Sequence, residues 1–105
     1  MSLPLNGWHN GTNTTGRKRN DGLCWKDFWL QYTKRNSFGK CSVNNCNNDA
    51  EVGAHVWNES EAVRRDDGRY IIKNYRIVPM CKECNKRETG FLLKDSTNCP
   101  IESFD

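Results

Sequence analysis

The chain has 105 residues, and Leu, Ile, Val and Phe supply only 19 of them, which leaves a thin apolar core for one small domain. A mean hydropathy of −0.91, without an apolar run of about 18 residues, excludes a membrane span, and the length excludes a two-domain enzyme. The net charge of +3 is unevenly spread: residues 1–40 hold seven basic and two acidic side chains, whereas residues 41–105 hold nine basic and eleven acidic ones.

Residues 1–22 are rich in Gly, Asn and Thr and show no hydrophobic periodicity. Their basic cluster, Arg17, Lys18 and Arg19, favours contact with the phosphates of a nucleic acid, and the alternative is a solvated tail. We predict a basic, flexible arm without core residues, followed by one domain over residues 23–105 whose centre is residues 41–93.

An amphipathic pattern runs from Leu23 to about Arg35. Aromatic residues recur there at positions i, i+3, i+4 and i+7, which is one face of a helix of about three turns. Because a small domain has few other large side chains to bury, we expect this face to form core rather than a base-stacking platform. The aromatic residues are Trp25, Phe28, Trp29 and Tyr32.

Four of the six cysteines form two close pairs separated by 34 residues. Two close cysteine pairs, each supplying two ligands, are typical of a tetrahedral structural zinc site. Zinc is favoured over a three-disulfide framework because Cys24 and Cys99 lie outside both pairs and the N-terminus has no secretory pattern. Zinc thiolates imply a reducing, cytoplasmic compartment. The predicted Zn²⁺ ligands are Cys41, Cys46, Cys81 and Cys84.

The segment between the two pairs has the pattern of a hairpin. Over residues 51–57, small apolar residues alternate with other residues, so that His55 faces away from Ala54 and Val56. A turn at Asp67-Gly68 precedes returning β-strand material that Pro79 closes, and a short helix begins at Cys81 and ends by Gly90. The first cysteine pair lies in a turn-rich string that is typical of a zinc knuckle, a tight turn. The order of knuckle, hairpin and helix predicts an α+β treble-clef domain.

Two motifs in this frame carry a family resemblance. They are Gly53-Ala54-His55-Val56 and Val78-Pro79-Met80-Cys81-Lys82-Glu83-Cys84-Asn85. With them, residues 41 to about 93 resemble the HNH (ββα-metal, His-Me finger) endonuclease superfamily, in particular its four-Cys members of the endonuclease VII type. The resemblance implies a metal-dependent endonuclease that hydrolyses phosphodiester bonds, with DNA preferred to RNA as the partner.

The resemblance also implies site residues. His55 corresponds to the general base that activates water, and Asn85 to the side chain that holds a catalytic divalent cation such as Mg²⁺. Ala54 departs from the family pattern, which often has Asp there as a second cation ligand. We add Arg76 as a candidate phosphate clamp because it lies on the returning strand. The zinc stays structural, since four thiolates leave no open coordination position.

Two further hypotheses remain open at this point. A non-catalytic zinc module that binds nucleic acid is consistent with Ala54 and with the basic arm. A treble clef that binds only protein is the other. Metal-dependent nicking of a plasmid distinguishes a nuclease from the non-catalytic nucleic-acid-binding module. Salt-dependent binding to a duplex distinguishes that module from a treble clef that binds only protein.

Overall fold

The computed structural model describes residues 3–11 and 24–103, and it forms a small α+β fold, as predicted. It contains one three-residue strand before the first helix and a compact set of elements after it. No helix in these two ranges has the length and apolar character needed to cross a membrane. The elements are β1 (Trp8–Asn10), α1 (Trp25–Thr33), β2 (Val52–Asn58), a 3₁₀ turn (Glu59–Glu61), β3 (Val63–Arg64), β4 (Tyr70–Ile71), β5 (Arg76–Met80) and α2 (Lys82–Asn85).

The main sheet has three antiparallel strands in the order β1-β2-β5. Strand β2 is central, with Asn58 opposite Trp8 on one side and His55 opposite Ile77 on the other. Strands β3 and β4 pair only with each other and form a separate hairpin inserted between β2 and β5. The turn predicted at Asp67-Gly68 therefore belongs to this small hairpin, and not to the turn between the two long strands.

The two faces of the three-stranded sheet are covered by different groups. One face, called here the cysteine face, carries Ala54, Val56 and Val78, which pack with Cys41 and Cys81. The opposite face, called here the helix face, carries Gly53, His55 and Ile77, and Ile77 packs with Phe28 and Trp29 of α1. Directly opposed residues of antiparallel strands share a face, so the strand register and the two clusters agree.

Helix α1 packs on the helix face as the aromatic periodicity predicts. Phe28 and Trp29 are buried, whereas Tyr32, one turn further on, is 65% exposed and lies outside the core. Lys34 caps the C-terminal end of the helix with a left-handed φ of 58°. Gly53 permits the close approach of α1, since a Cβ there would lie 2.6 Å from the backbone carbonyl carbon of Trp25.

The prediction of a flexible arm without core residues is wrong for residues 3–11. Trp8 of β1 is fully buried, and β1 pairs with β2 along its whole length. The Trp8 indole Nε1 donates to the Pro4 carbonyl at 2.9 Å, and the Leu93 amide donates to the Leu5 carbonyl. A three-residue strand is too short to show a periodicity, and one large aromatic side chain is enough to anchor it. Arg17, Lys18 and Arg19 lie outside the described residues.

Two predicted boundaries also change. Helix α2 is a single turn that ends at Asn85, well before Gly90, and Gly90 instead lies against His9 of β1. Pro79 was expected to close the returning strand but lies inside β5, where its carbonyl accepts a hydrogen bond from the Ser42 amide. This bond ties the end of β5 to the first cysteine segment.

Candidate metal centre

The four cysteines predicted as zinc ligands converge in the structure. Their sulfur atoms all lie within 4.8 Å of one another, and this cluster can hold a metal ion such as zinc. Cys41 and Cys81 are buried, and Cys46 and Cys84 are half-buried at the edge of the same cluster. All six thiols of the chain are free, and Cys24 and Cys99 lie outside the cluster, as predicted.

The spacing of the sulfur atoms fits a tetrahedral ion. With Zn–S bonds of about 2.3 Å, neighbouring sulfurs of a tetrahedral site are roughly 3.8 Å apart. The Sγ atoms of Cys46 and Cys81 are 3.8 Å apart. Four thiolates complete the coordination of zinc, so such an ion would hold the two chain segments together and would have no open position for a substrate.

Local backbone structure positions the two cysteines of each pair. In the first segment the Cys46 amide donates to the Val43 carbonyl, and Asn45 between them has a left-handed φ of 67°, which makes a tight turn. In the second segment Cys81 caps α2, and the Cys84 amide lies 3.5 Å from its sulfur. The turn brings Cys41 and Cys46 close together, and the cap directs the Cys84 amide toward the Cys81 sulfur, which stabilises thiolate charge.

The thiols differ in pKa because they differ in burial and in hydrogen bonding. Burial opposes the ionisation of Cys81, but hydrogen bonds from the Cys84 backbone and the Asn48 side chain outweigh it and lower the pKa of Cys81 to about 7. Burial raises the pKa of Cys41 and that of Cys84. A metal ion must displace these protons, so zinc binding is expected to weaken as the pH falls.

A lysine supports the first cysteine segment from outside. The Lys94 ammonium donates to the Cys41 carbonyl at 2.8 Å and also to the Cys46 carbonyl. The backbone amide of Lys94 donates to the Ser42 carbonyl. This cation fixes the carbonyl groups of two ligand residues and places positive charge beside a site that carries excess negative charge when zinc is bound. The sequence gives no signal for this role, because Lys94 lies 10 positions after the last cysteine of the cluster.

His55 lies on the helix face, on the opposite side of the sheet from the cysteine cluster. Its ring meets the Trp25 ring edge-on at 4.8 Å, and its Nε2 atom lies 3.0 Å from Glu102 Oε2. The side chains of His55 and Glu102 are nearly inaccessible, with exposures of 6% and 7%, respectively. The ring of Tyr75 lies 6.0 Å away on the same face. The alternation of β2 predicts this orientation, but nothing in the local sequence indicates that Trp25 and Glu102 enclose the ring.

The other two candidate catalytic residues lie elsewhere. Asn85 is exposed at the end of α2, directly after Cys84. Arg76 pairs with both carboxylate oxygens of Glu61, at 2.7 and 2.6 Å, and also donates to the Cys99 carbonyl. The Glu61 hydrogen bond raises the pKa of Arg76, which keeps the guanidinium charged and engaged. The structure therefore does not bring His55, Asn85 and Arg76 together at one site.

An asparagine that the sequence analysis did not single out connects β1 to the end of α2. The Asn10 side-chain amide donates to the carbonyls of Cys84 and Arg87, at 2.8 and 2.9 Å. The Cys84 carbonyl also accepts a hydrogen bond from the Arg87 amide, so Asn10 adds a second bond where the chain leaves α2. Asn10 thus ties α2 to the edge of the sheet.

No protein-family model matches the chain, and neither the curated proteins nor the solved structures include a significant match.

Proposed function

We propose that this chain is a zinc-stabilised, treble-clef module that binds nucleic acid without cleaving it. The observation that carries the proposal is the placement of His55 on the helix face, enclosed by Trp25 and Glu102. A general base must come within hydrogen-bond reach of the attacking water, which a nearly inaccessible ring does not offer.

The surroundings of the residues expected to hold a catalytic divalent cation also argue against cleavage. Hydrolysis of a phosphodiester in this class of site uses a divalent cation held by oxygen ligands. Ala54, at the position where the resembled family often has Asp, is buried among apolar residues of the cysteine face. Of the three candidate catalytic residues, Asn85 is the one with an exposed amide oxygen, and Arg76 is engaged by Glu61. Neither residue shares a face with His55.

Nucleic-acid binding is supported by the charge distribution. The chain carries net +3, with a basic cluster at residues 17–19 and three exposed arginines in the small hairpin formed by β3 and β4. Cationic side chains that neutralise phosphates release counterions, and this supplies affinity without a catalytic centre. The proposed role of zinc is to hold α2 and the first cysteine segment rigidly against β5.

Two measurements on the intact, zinc-loaded chain test the proposal. We expect salt-dependent binding to a labelled 20-base-pair duplex and no nicking of supercoiled plasmid with Mg²⁺ or Mn²⁺. The endonuclease implied by the resemblance predicts nicking that a chelator of Mg²⁺ abolishes. Asn85→Ala is the sharper variant for that outcome, because Asn85 is exposed and its loss should leave the fold intact, whereas His55→Ala also removes a buried ring. Nicking by the parent that Asn85→Ala abolishes would overturn the non-catalytic proposal.

A further inference from the structure

The small hairpin of residues 63–71 is exposed along most of its length and has a regular hydrogen-bonded structure. Val63 pairs with Ile71, and Arg64 pairs with Tyr70. The connecting turn is closed by hydrogen bonds from the Arg65 amide to the Arg69 carbonyl and from the Gly68 amide to the Arg65 carbonyl. Gly68 supplies the positive φ of 86° that this turn requires. We call residues 63–71 the arginine hairpin.

The base of the arginine hairpin is fixed to the main sheet. The Tyr70 hydroxyl donates to Glu59 Oε1 at 2.9 Å, and Glu59 Oε2 lies 2.7 Å from His9 Nε2. The Trp57 ring lies between them, stacked on His9 at 4.5 Å and tilted against Tyr70 at 5.4 Å. A fixed base means that the tip is presented in a defined orientation, which lowers the entropy cost of ordering it on a partner.

The tip of the arginine hairpin carries three arginines and two exposed aspartates, Asp66 and Asp67, and so has a net charge of +1. Arg64, Arg65 and Arg69 are exposed, with the Arg69 side chain 83% exposed. Within the described part of the chain, neither Arg64 nor Arg65 has a carboxylate at ion-pair distance. Asp67 uses one oxygen to accept from the Arg69 amide, and its other oxygen is 3.8 Å from the Arg69 Nε atom, a contact worth little at such exposure. These arginines differ from Arg76, whose Nε and Nη2 atoms both donate to Glu61.

We propose that the arginine hairpin is the element that binds duplex DNA, with its arginines on the phosphates that flank a groove. This inference deepens the proposed function and depends on it. A two-stranded ribbon has dimensions that the major groove of B-DNA admits, and arginine forms paired hydrogen bonds to phosphate oxygens. A single strand is the poorer partner, because binding it requires free aromatic faces for stacking. The rings at the base of the hairpin already stack on each other.

The test measures the salt dependence of binding to a fluorescein-labelled 20-base-pair duplex by anisotropy, with the zinc content of every protein determined first. The hairpin variant is Arg64→Gln, Arg65→Gln and Arg69→Gln combined. The matched control is Lys34→Gln, Lys82→Gln and Lys86→Gln, which removes the same charge from exposed sites elsewhere. We expect the hairpin variant to lower the slope of log affinity against log salt by about 2 to 3 units, and the control by less than about 1 unit.

A third variant keeps the positive charge of the hairpin and replaces only the arginine side chains. Arg64→Lys, Arg65→Lys and Arg69→Lys combined should keep most of the slope, because phosphate neutralisation needs only the charge. Equal losses in the hairpin variant and its control would overturn the hairpin inference while leaving nucleic-acid binding intact. Equal affinity for a single strand of the same sequence would overturn its duplex component. Absence of salt-dependent binding by the parent would instead overturn the proposed function.

Discussion

The two faces of the three-stranded sheet are stabilised in different ways. The cysteine face is assembled from short segments far apart in the chain, and its centre is a cluster of thiols that zinc would join. The helix face is covered by one continuous helix whose rings pack on Ile77 and enclose His55. A chain with few aliphatic residues can thus combine one face that a metal ion could hold together with another that aromatic packing holds together. The substitutions below are chosen to disrupt one face at a time.

The largest expected effect comes from the cluster itself. Serine in place of Cys41 or Cys81 removes a buried thiolate, and zinc content should fall below one ion per chain, with loss of cooperative unfolding, because metal binding and folding of this face are one event. Metal analysis and thermal unfolding measure the two outcomes. The matched control is Cys24→Ser, at an exposed cysteine outside the cluster, which should retain full zinc. Retention of zinc by both variants at Cys41 and Cys81 would contradict the assignment.

The next effect concerns β1 and tests whether it belongs to the cysteine face. Trp8 is fully buried, so Trp8→Ala should lower the free energy of unfolding by about 3–5 kcal/mol. Deletion of residues 1–11 should destabilise the domain at least as much, because it also removes the Asn10 bonds to α2. Denaturant unfolding of the zinc-loaded proteins measures the change. Leu5→Ala, at a position 49% exposed, is the control and should cost little.

A smaller effect is expected on the helix face alone. At Gly53 a new methyl group would lie 2.6 Å from the Trp25 backbone, so Gly53→Ala should displace α1 and cost about 1–3 kcal/mol. Zinc content should not change, since Gly53 points away from the cysteines. Near-ultraviolet circular dichroism reports the aromatic packing, and metal analysis reports the other face. Loss of zinc together with the aromatic signal would show that the two faces are not independent.

The smallest effect concerns Lys94. Replacing it with Met removes the ammonium from the carbonyls of Cys41 and Cys46, at a cost of about 1 kcal/mol, or roughly fivefold in the rate at which a chelator extracts zinc. Lys40→Met is the matched control, because the Lys40 ammonium pairs with exposed Asp49 at 2.7 Å and contacts no ligand residue. Equal extraction rates for the parent and Lys94→Met would exclude a role for Lys94 at the metal site.

The sequence by itself determined the features that depend on local spacing. The two cysteine pairs predicted one cluster, the aromatic periodicity predicted α1, and the alternation of residues 51–57 predicted that His55 and Ala54 face opposite ways. Each follows from a short-range rule, namely the geometry of metal ligands, the helix period or the pleat of a strand.

Only the tertiary structure decided what covers each face. Trp25 precedes His55 by 30 positions and Glu102 follows it by 47, so no local pattern links the three residues. The same holds for Trp8, which enters the core from a segment too short to have a period, and for Lys94, which reaches the carbonyls of Cys41 and Cys46. Such contacts depend on how distant segments pack together, and it is this packing that encloses His55 between Trp25 and Glu102.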